Sequence, residues 1–186
     1  TMRKADGNMY DFVSHTWNPV KGRCPHDCAY CYMKRFPLGD LRLDPKELGK
    51  FHGNGKKIFV GSSCDMFAEN VPAEWIEAVL GECRQYYGNK YFFQSKNPHR
   101  MAEFWKSLPL GVVLLTTIET NRIYPEMGRT PPTFDRALAM AELHSEGWKT
   151  MITVEPVMDF DLPEMLAMIR RCRPDQVNVG ADSKGH

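Results

Sequence analysis

Gly111-Val-Val-Leu-Leu-Thr-Thr-Ile118, leading into Glu119-Thr-Asn121, is the stretch whose reading decides the fold. It is too rich in β-branched residues for a helix. It is apolar at successive positions, as a parallel strand covered on both faces must be. Upstream, Lys57–Val60 and Lys90–Gln94 read as further strands, and an N-terminal one is expected around Tyr10–Ser14. Downstream, Met151–Val154 and Gln176–Val179 complete a set of six. Between the strands lie amphipathic stretches. Pro72–Tyr86 places Trp75, Ile76, Val79, Leu80 and Cys83 at helical spacing, and Pro98–Leu108 carries Met101, Phe104, Trp105 and Leu108 on one side. Pro132–Glu146 is expected to turn Phe134, Leu138, Ala141 and Leu143 inward, and Leu162–Cys172 is the last helix.

Strands alternating with helices are the pattern of a parallel α/β protein, either an open doubly wound sheet or an incomplete barrel. The polar residues separate the two. Nearly every strand ends in reactive or hydrogen-bonding groups: His15 and Asn18, Ser62 to Asp65, Lys96 and Asn97, Glu119 and Asn121, Glu155, and Asp182. A barrel gathers such groups at one mouth, whereas an open sheet spreads them along an edge. The expected fold is therefore a partial (β/α)6 TIM-like barrel with outer helices, one domain over residues 1–186. Thr1, ahead of Met2, reads as the remnant of a removed tag.

The chain has 186 residues, 42% hydrophobic and 25% charged. That suits one globular domain and excludes a disordered or low-complexity chain. No run approaches the ~18 apolar residues of a membrane span, and no signal-peptide core opens the chain, so the reducing cytoplasm is the expected compartment. Lys and Arg number 24 against 23 Asp and Glu, a net charge of +1, so no global field selects a polyanion. Lys34-Arg35, Lys56-Lys57 and Arg170-Arg171-Arg173 read as solvated surface, the first alone being placed to meet a phosphate.

Three of the six cysteines fall within eight residues, in Cys24-Pro-His-Asp-Cys28-Ala-Tyr-Cys31. In a reducing compartment such a trio points to a metal site or redox centre rather than to disulfides. Three thiolates are one short of saturating a cubane iron–sulfur cluster or a structural zinc. If no fourth ligand comes, one position stays open for chemistry. Zinc held by the trio and His26 is the alternative, which would make the chain a non-catalytic zinc-binding or electron-transfer module. Cys64 stands near a strand end; Cys83 and Cys172 fall on apolar helix faces and read as core, as do Met140, Met165 and Met168.

Cys24-x3-Cys28-x-Tyr30-Cys31, after an N-terminal strand and ahead of repeated βα units, resembles the radical S-adenosylmethionine (radical SAM) superfamily. Within it the chain looks most like phage and bacterial radical SAM proteins related to the spore photoproduct lyase group. The segments that carry this are Thr16-Trp-Asn-Pro-Val-Lys-Gly22, Phe59-Val-Gly-Ser-Ser-Cys-Asp-Met-Phe67 with Val71-Pro72, Phe92-Phe-Gln-Ser-Lys-Asn-Pro98, and Val154-Glu-Pro156. The resemblance implies an oxygen-sensitive [4Fe–4S] cluster on Cys24, Cys28 and Cys31, with S-adenosylmethionine on the fourth iron. It also implies an external one-electron reductant of flavodoxin or ferredoxin type, and radical abstraction of a substrate hydrogen. A nucleic acid or nucleotide is the substrate favoured by the lyase analogy alone.

The resemblance also distributes roles. Tyr30 and Tyr32 would pack near cluster and adenine, or serve as ordinary loop aromatics. Ser62 and Ser63 would meet the methionine amino group, although the usual glycine-rich, glutamate-ending version of that segment is absent. Lys96 would pair with the methionine carboxylate, or stand as a solvated lysine. Strand alternation makes Thr117, Glu119 and Asn121 the candidates for ribose hydroxyls. Glu155, after an apolar strand, is expected to contact cofactor or substrate. Cys64 and Asp65 are the candidate catalytic residues, Cys64 as a hydrogen donor to a product radical or as inert filler. With the chain stopping at His186, the barrel's side is expected to be open to a large substrate or a partner.

Overall fold

The computed structural model describes residues 2–4, 10–50 and 52–180. Thr1 and Asp182 lie outside them. Its main sheet has seven strands: β1 (Arg3–Lys4), β2 (His15–Trp17), β5 (Lys57–Val60), β6 (Lys90–Gln94), β7 (Val113–Thr117), β8 (Lys149–Val154) and β9 (Gln176–Val179). A separate hairpin pairs β3 (Val20–Lys21) with β4 (Arg42–Leu43). From β2 onward the strands of the main sheet are parallel and neighbour one another in chain order; only β1 runs antiparallel, on the edge beside β2. An order that never reverses has no switch point, which excludes the doubly wound sheet.

The helices settle the matter. Helix α1 (Ala73–Gln85), α2 (Pro98–Glu103), α3 (Thr133–Ser145) and α4 (Leu162–Cys172) follow β5, β6, β7 and β8 in turn. All four bury residues in one core with Ile58, Val60, Tyr91, Phe93, Leu114, Ile152 and Val154 on a single face of the sheet. Cys83, Cys172, Met140, Met165 and Met168 are part of that packing. The opposite face holds a second cluster, Phe59, Phe92, Val113 and Leu115 with Tyr10 and Val13. Helices outside and a filled concave side are the architecture of a six-stranded partial (β/α) barrel.

Tyr10–Ser14 is not a strand. The first parallel strand is β2, so His15 opens it at the barrel floor, and of the expected pair only Asn18 reaches the mouth. Residues 10–13 instead plug the floor. Tyr10 stacks on Phe12 with centroids 5.1 Å apart, Phe12 meets Phe92 at 5.1 Å, and Tyr10 meets Phe59 at 5.7 Å. The Tyr10 hydroxyl lies 2.7 Å from Gln94 Oε1 on β6 and 2.5 Å from Thr153 Oγ1 on β8. One phenol spanning strands two apart requires the sheet to curl around it. A partial barrel must fill its interior, and aromatic rings fill it here.

Two helices depart from their expected form. The α-helical part of α2 ends at Glu103, after which tight turns carry the chain to Leu108, leaving Trp105 exposed. In α3 the buried face is Thr133, Arg136, Ala137, Met140 and Leu143, while Phe134 is exposed beneath Arg171. The phase differs because a charged residue, Arg136, belongs to the core side.

Candidate functional site

The connection from β2 to β5 is the longest in the barrel, and its described residues contain no α-helix. It carries the three cysteines, a short 3-10 turn over Tyr32–Arg35 and the β3–β4 hairpin. The cysteine loop is built from successive tight turns, Asp27 N to Cys24 O at 3.2 Å and Cys31 N to Cys28 O at 3.2 Å, with Asp27 at a φ of 54°. Such turns keep the three thiols on one short arc.

Two anchors hold the arc. The first is the loop after β7. Ala29 N donates to Glu126 O at 2.8 Å, Arg129 N to His26 O at 2.7 Å, and Arg129 Nε to Pro25 O at 2.9 Å. Between these bonds sits Gly128, with φ 67° and ψ −139°, where a Cβ would collide with the His26 carbonyl. Gly128→Ala is therefore expected to cost on the order of 1–3 kcal/mol of stability and to loosen the cysteine loop. Thermal unfolding, together with thiol alkylation rates at Cys24, Cys28 and Cys31, checks this. Unchanged values for both would remove the anchoring role.

The second anchor is Asp65, after β5. Its Oδ2 accepts from His26 Nε2 at 2.8 Å, Ser95 Oγ at 2.9 Å and Lys96 N at 2.8 Å, and its Oδ1 from Phe67 N at 2.9 Å. Burial alone would raise the Asp65 pKa, but His26 and these donors hold it below the usual carboxylate value. Burial likewise opposes the charged imidazole, yet Asp65 keeps the His26 pKa raised. With both oxygens occupied, Asp65 ties the cysteine loop to β5 and β6.

At the mouth the structure brings together Tyr30, Lys96 and Glu119, and adds Arg136, which sequence reading missed. Glu119 is fully buried. Its Oε1 accepts from Tyr30 and pairs with Lys96; its Oε2 pairs with Arg136 Nη1 at 2.9 Å. Arg136, also fully buried, donates further to Thr117 O at 2.9 Å, Pro131 O at 2.7 Å and Thr130 Oγ1 at 2.6 Å. Lys96 Nζ lies 3.1 Å from the Tyr30 hydroxyl and 4.9 Å from its ring centroid. Burial would raise the Glu119 pKa, but the two cations bring it down to about 2. Burial and Glu119 together raise that of Tyr30. The available signal for Arg136 was its place three and four residues from Thr133 and Met140, on the face that packs.

The remaining candidates fall as follows. Tyr32 OH donates to Ser62 O at 2.6 Å, and Asn18 Oδ1 accepts from Ser62 Oγ at 3.1 Å and Ser63 N at 3.0 Å. Ser63 Oγ is buried without a hydrogen-bond partner and lines a cavity of about 300 Å³ shared with Asn18, Met33, Phe36 and Arg42. Thr117 accepts from Gln94 Nε2 at 2.8 Å inside the barrel. Glu155 is half-buried at the end of β8, pressed against Gly180. Asn121 is not brought to this group: it donates to Asp161 Oδ2 at 3.1 Å and accepts from Asp161 N at 2.8 Å, at the start of α4. Strand β7 ends at Thr117, so the two-residue alternation no longer governs position 121.

The thiols differ in character. The neighbouring Cys64 thiol, working against burial, brings the Cys24 pKa down to about 6. The Cys64 thiol is pushed up by Cys24 and by burial, and burial raises Cys28. Among the described residues, no three of His, Cys, Asp and Glu converge closely enough to hold a single metal ion. No helix among them is long and apolar enough to cross a membrane.

No family model matches the chain, and no curated protein sequence matches it either. Solved structures do. A spore photoproduct lyase mutant with bound AdoMet and dinucleoside spore photoproduct superposes with a TM-score of 0.67 at 12% identity, over 92% of this chain and 54% of that one. A second mutant of the same lyase gives 0.68 at 12% identity over the same shares. The lyase complexed with dinucleoside spore photoproduct gives 0.64 at 12% identity, over 85% of this chain and 49% of its own. The chain thus spans about half the length of these neighbours. The likeness extends across nearly all of the described barrel: the chain shares the partial-barrel fold of spore photoproduct lyase.

Proposed function

We propose that this chain is a radical SAM enzyme, with Cys24, Cys28 and Cys31 as ligands of a [4Fe–4S] cluster and the mouth residues as the S-adenosylmethionine site. The observation that carries the reading is the donor set. Three thiols share one anchored loop, while Nε2 of His26, the fourth ligand of a zinc alternative, is bonded to Asp65. A thiolate-prone Cys24 and the orphaned Ser63 hydroxyl beside the cysteine loop both suit the cluster and its polar ligand. Cys24, Cys28 and Cys31 would hold the cluster, which would supply the electron for reductive cleavage of S-adenosylmethionine to methionine and the 5′-deoxyadenosyl radical that abstracts hydrogen from substrate.

The chain's own residues position and shield that chemistry. Lys96, part-exposed and on a flexible stem, turns from Glu119 to the methionine carboxylate; Arg136 stays and keeps Glu119 compensated. Glu119 Oε1 and Thr117 then serve ribose hydroxyls, Ser62 and Ser63 the amino group, and Tyr30 and Tyr32 the adenine side. Glu155 faces cofactor or substrate from the end of β8. Cys64 lies against Cys24 and is the hydrogen donor of this reading, whereas Asp65 is a positioning residue, acting through His26 and Lys96. The plug of Tyr10, Phe12 and Val13 closes the floor to water.

The electron comes from an external flavodoxin- or ferredoxin-type donor. A nucleic acid or nucleotide is the proposed substrate, by analogy with the dinucleoside bound by the lyase neighbours. Anaerobic reconstitution with iron and sulfide, then S-adenosylmethionine and a strong reductant, tests the reading. Formation of 5′-deoxyadenosine is expected. One zinc per chain, with no acid-labile sulfide after reconstitution, would sink it.

A further inference from the structure

The floor of the barrel, opposite the cysteine loop, carries charge that the chain's near-neutral total conceals. Strand β5 begins at Lys57 and β6 at Lys90, and the register sets these two directly opposite each other. Like charges opposed on neighbouring strands repel. Lys56 adjoins them, its carbonyl accepting from Lys90 N at 2.8 Å. On the other flank the register pairs Lys4 with His15, and His15 with Ile58 on β5. Burial and the fields of Lys56 and Lys4 together lower the His15 pKa. Basic side chains thus run in one strip across the floor ends of β1, β2, β5 and β6.

Among the described residues no ion pair neutralises Lys4, Lys56, Lys57 or Lys90. Glu47, an acid on the adjoining loop, is engaged by Lys21 and Lys50. Beside the strip, Tyr87 stands 83% exposed in the turn between α1 and β6. That turn is pinned against Lys56 by a bond from Gly55 N to Gly88 O at 2.8 Å. Lys90 Nζ rests over the Phe92 ring at 5.6 Å but has no carboxylate partner among the described residues. Cations without a carboxylate partner take phosphates, and an exposed ring beside them gives an unstacked base a platform.

We propose that this strip is a docking surface for single-stranded nucleic acid, with phosphates against Lys4, Lys56, Lys57 and Lys90 and a base on Tyr87. It is separate from the mouth and stands whether or not the mouth performs the proposed chemistry. The ring favours an unpaired strand over a duplex, whose bases are already stacked.

Fluorescence anisotropy of a labelled mixed-sequence single-stranded oligonucleotide, titrated with the metal-free chain at several salt concentrations, tests the proposal. Four phosphate contacts predict a log–log salt slope of about −3. Lys57→Glu with Lys90→Glu is expected to weaken binding at least about tenfold and to flatten the slope by about 1 or more. Tyr87→Ala is expected to weaken it about fivefold or more, and Arg170→Glu, exposed on the outer helix α4, to leave it unchanged. Circular dichroism and melting temperature identify any variant that misfolds. Absence of binding at low salt overturns the proposal. So does loss of binding in Arg170→Glu with the strip variants unaffected, or polyglutamate of equal charge binding as tightly as the oligonucleotide.

Discussion

Alanine at Cys24, Cys28 or Cys31 is expected to bring acid-labile sulfide to background and to lower S-adenosylmethionine cleavage by more than about a hundredfold. Outer partners of metal ligands alone cost about 10- to 100-fold when removed, so loss of a ligand must cost more. Cys64→Ala is the informative companion. Cys64 comes from a different loop, after β5, where the neighbouring Cys24 and burial push its thiol pKa up. Cys64 lies outside the three-cysteine loop that carries the proposed ligands, so the Cys64 variant should retain its iron and sulfide. A fall in both as complete as in the other three variants would mean four thiolates, a closed cluster, and no open iron for S-adenosylmethionine. Iron and sulfide analysis with electron paramagnetic resonance of the reduced protein distinguishes these outcomes.

Arg136→Met is expected to destabilise the fold by about 3–5 kcal/mol, because it leaves the fully buried Glu119 short of one of its two cations. For a chain of this size that lowers the melting temperature by roughly 10 °C. A second consequence follows at the mouth. With Arg136 gone, Lys96 becomes the only cation on Glu119, so S-adenosylmethionine binding should weaken as well. Adding Glu119→Gln to Arg136→Met should restore part of the stability, since the pair is then removed rather than broken.

The pH dependence has the same origin. The Glu119 carboxyl is held at about 2 in the folded chain, against about 4.3 in an unfolded one. The unfolded state therefore binds more protons between those values. The stabilisation, on the order of 3 kcal/mol, is complete above about pH 5 and is lost as the pH falls through 2. Glu119→Gln should flatten that acid limb of the unfolding midpoint. A wild-type limb reproduced unchanged in Glu119→Gln would show that another carboxylate governs it.

Much of the barrel and its cysteine loop was legible in local sequence. Side-chain alternation and helical spacing located β5, β6, β7, β8, β9, α1, α3 and α4 to within a few residues, because each pattern repeats within one element. Three cysteines in eight residues marked the thiol loop without any knowledge of what lies opposite it. Local pattern failed where tertiary packing overrode it. An apolar, aromatic run at Tyr10–Ser14 has the composition of a strand, but the concave side of the barrel needed filling and took it. The inward phase of α3 was misread because a buried arginine carries no apolar signal.

The amino-acid sequence by itself determined the order of strands and helices and the identity of the thiol loop, since both follow from periodicity and spacing over a few residues. Only the tertiary structure decided that Tyr30, Lys96, Glu119 and Arg136 meet, that Asp65 is an anchor, and that Asn121 belongs to α4. It likewise decided that Lys57 and Lys90 stand opposite each other. These partners come from different elements, up to 89 residues apart along the chain. Burial makes an unpaired charge costly enough to demand a partner, but sheet register and curvature choose which distant residue supplies it.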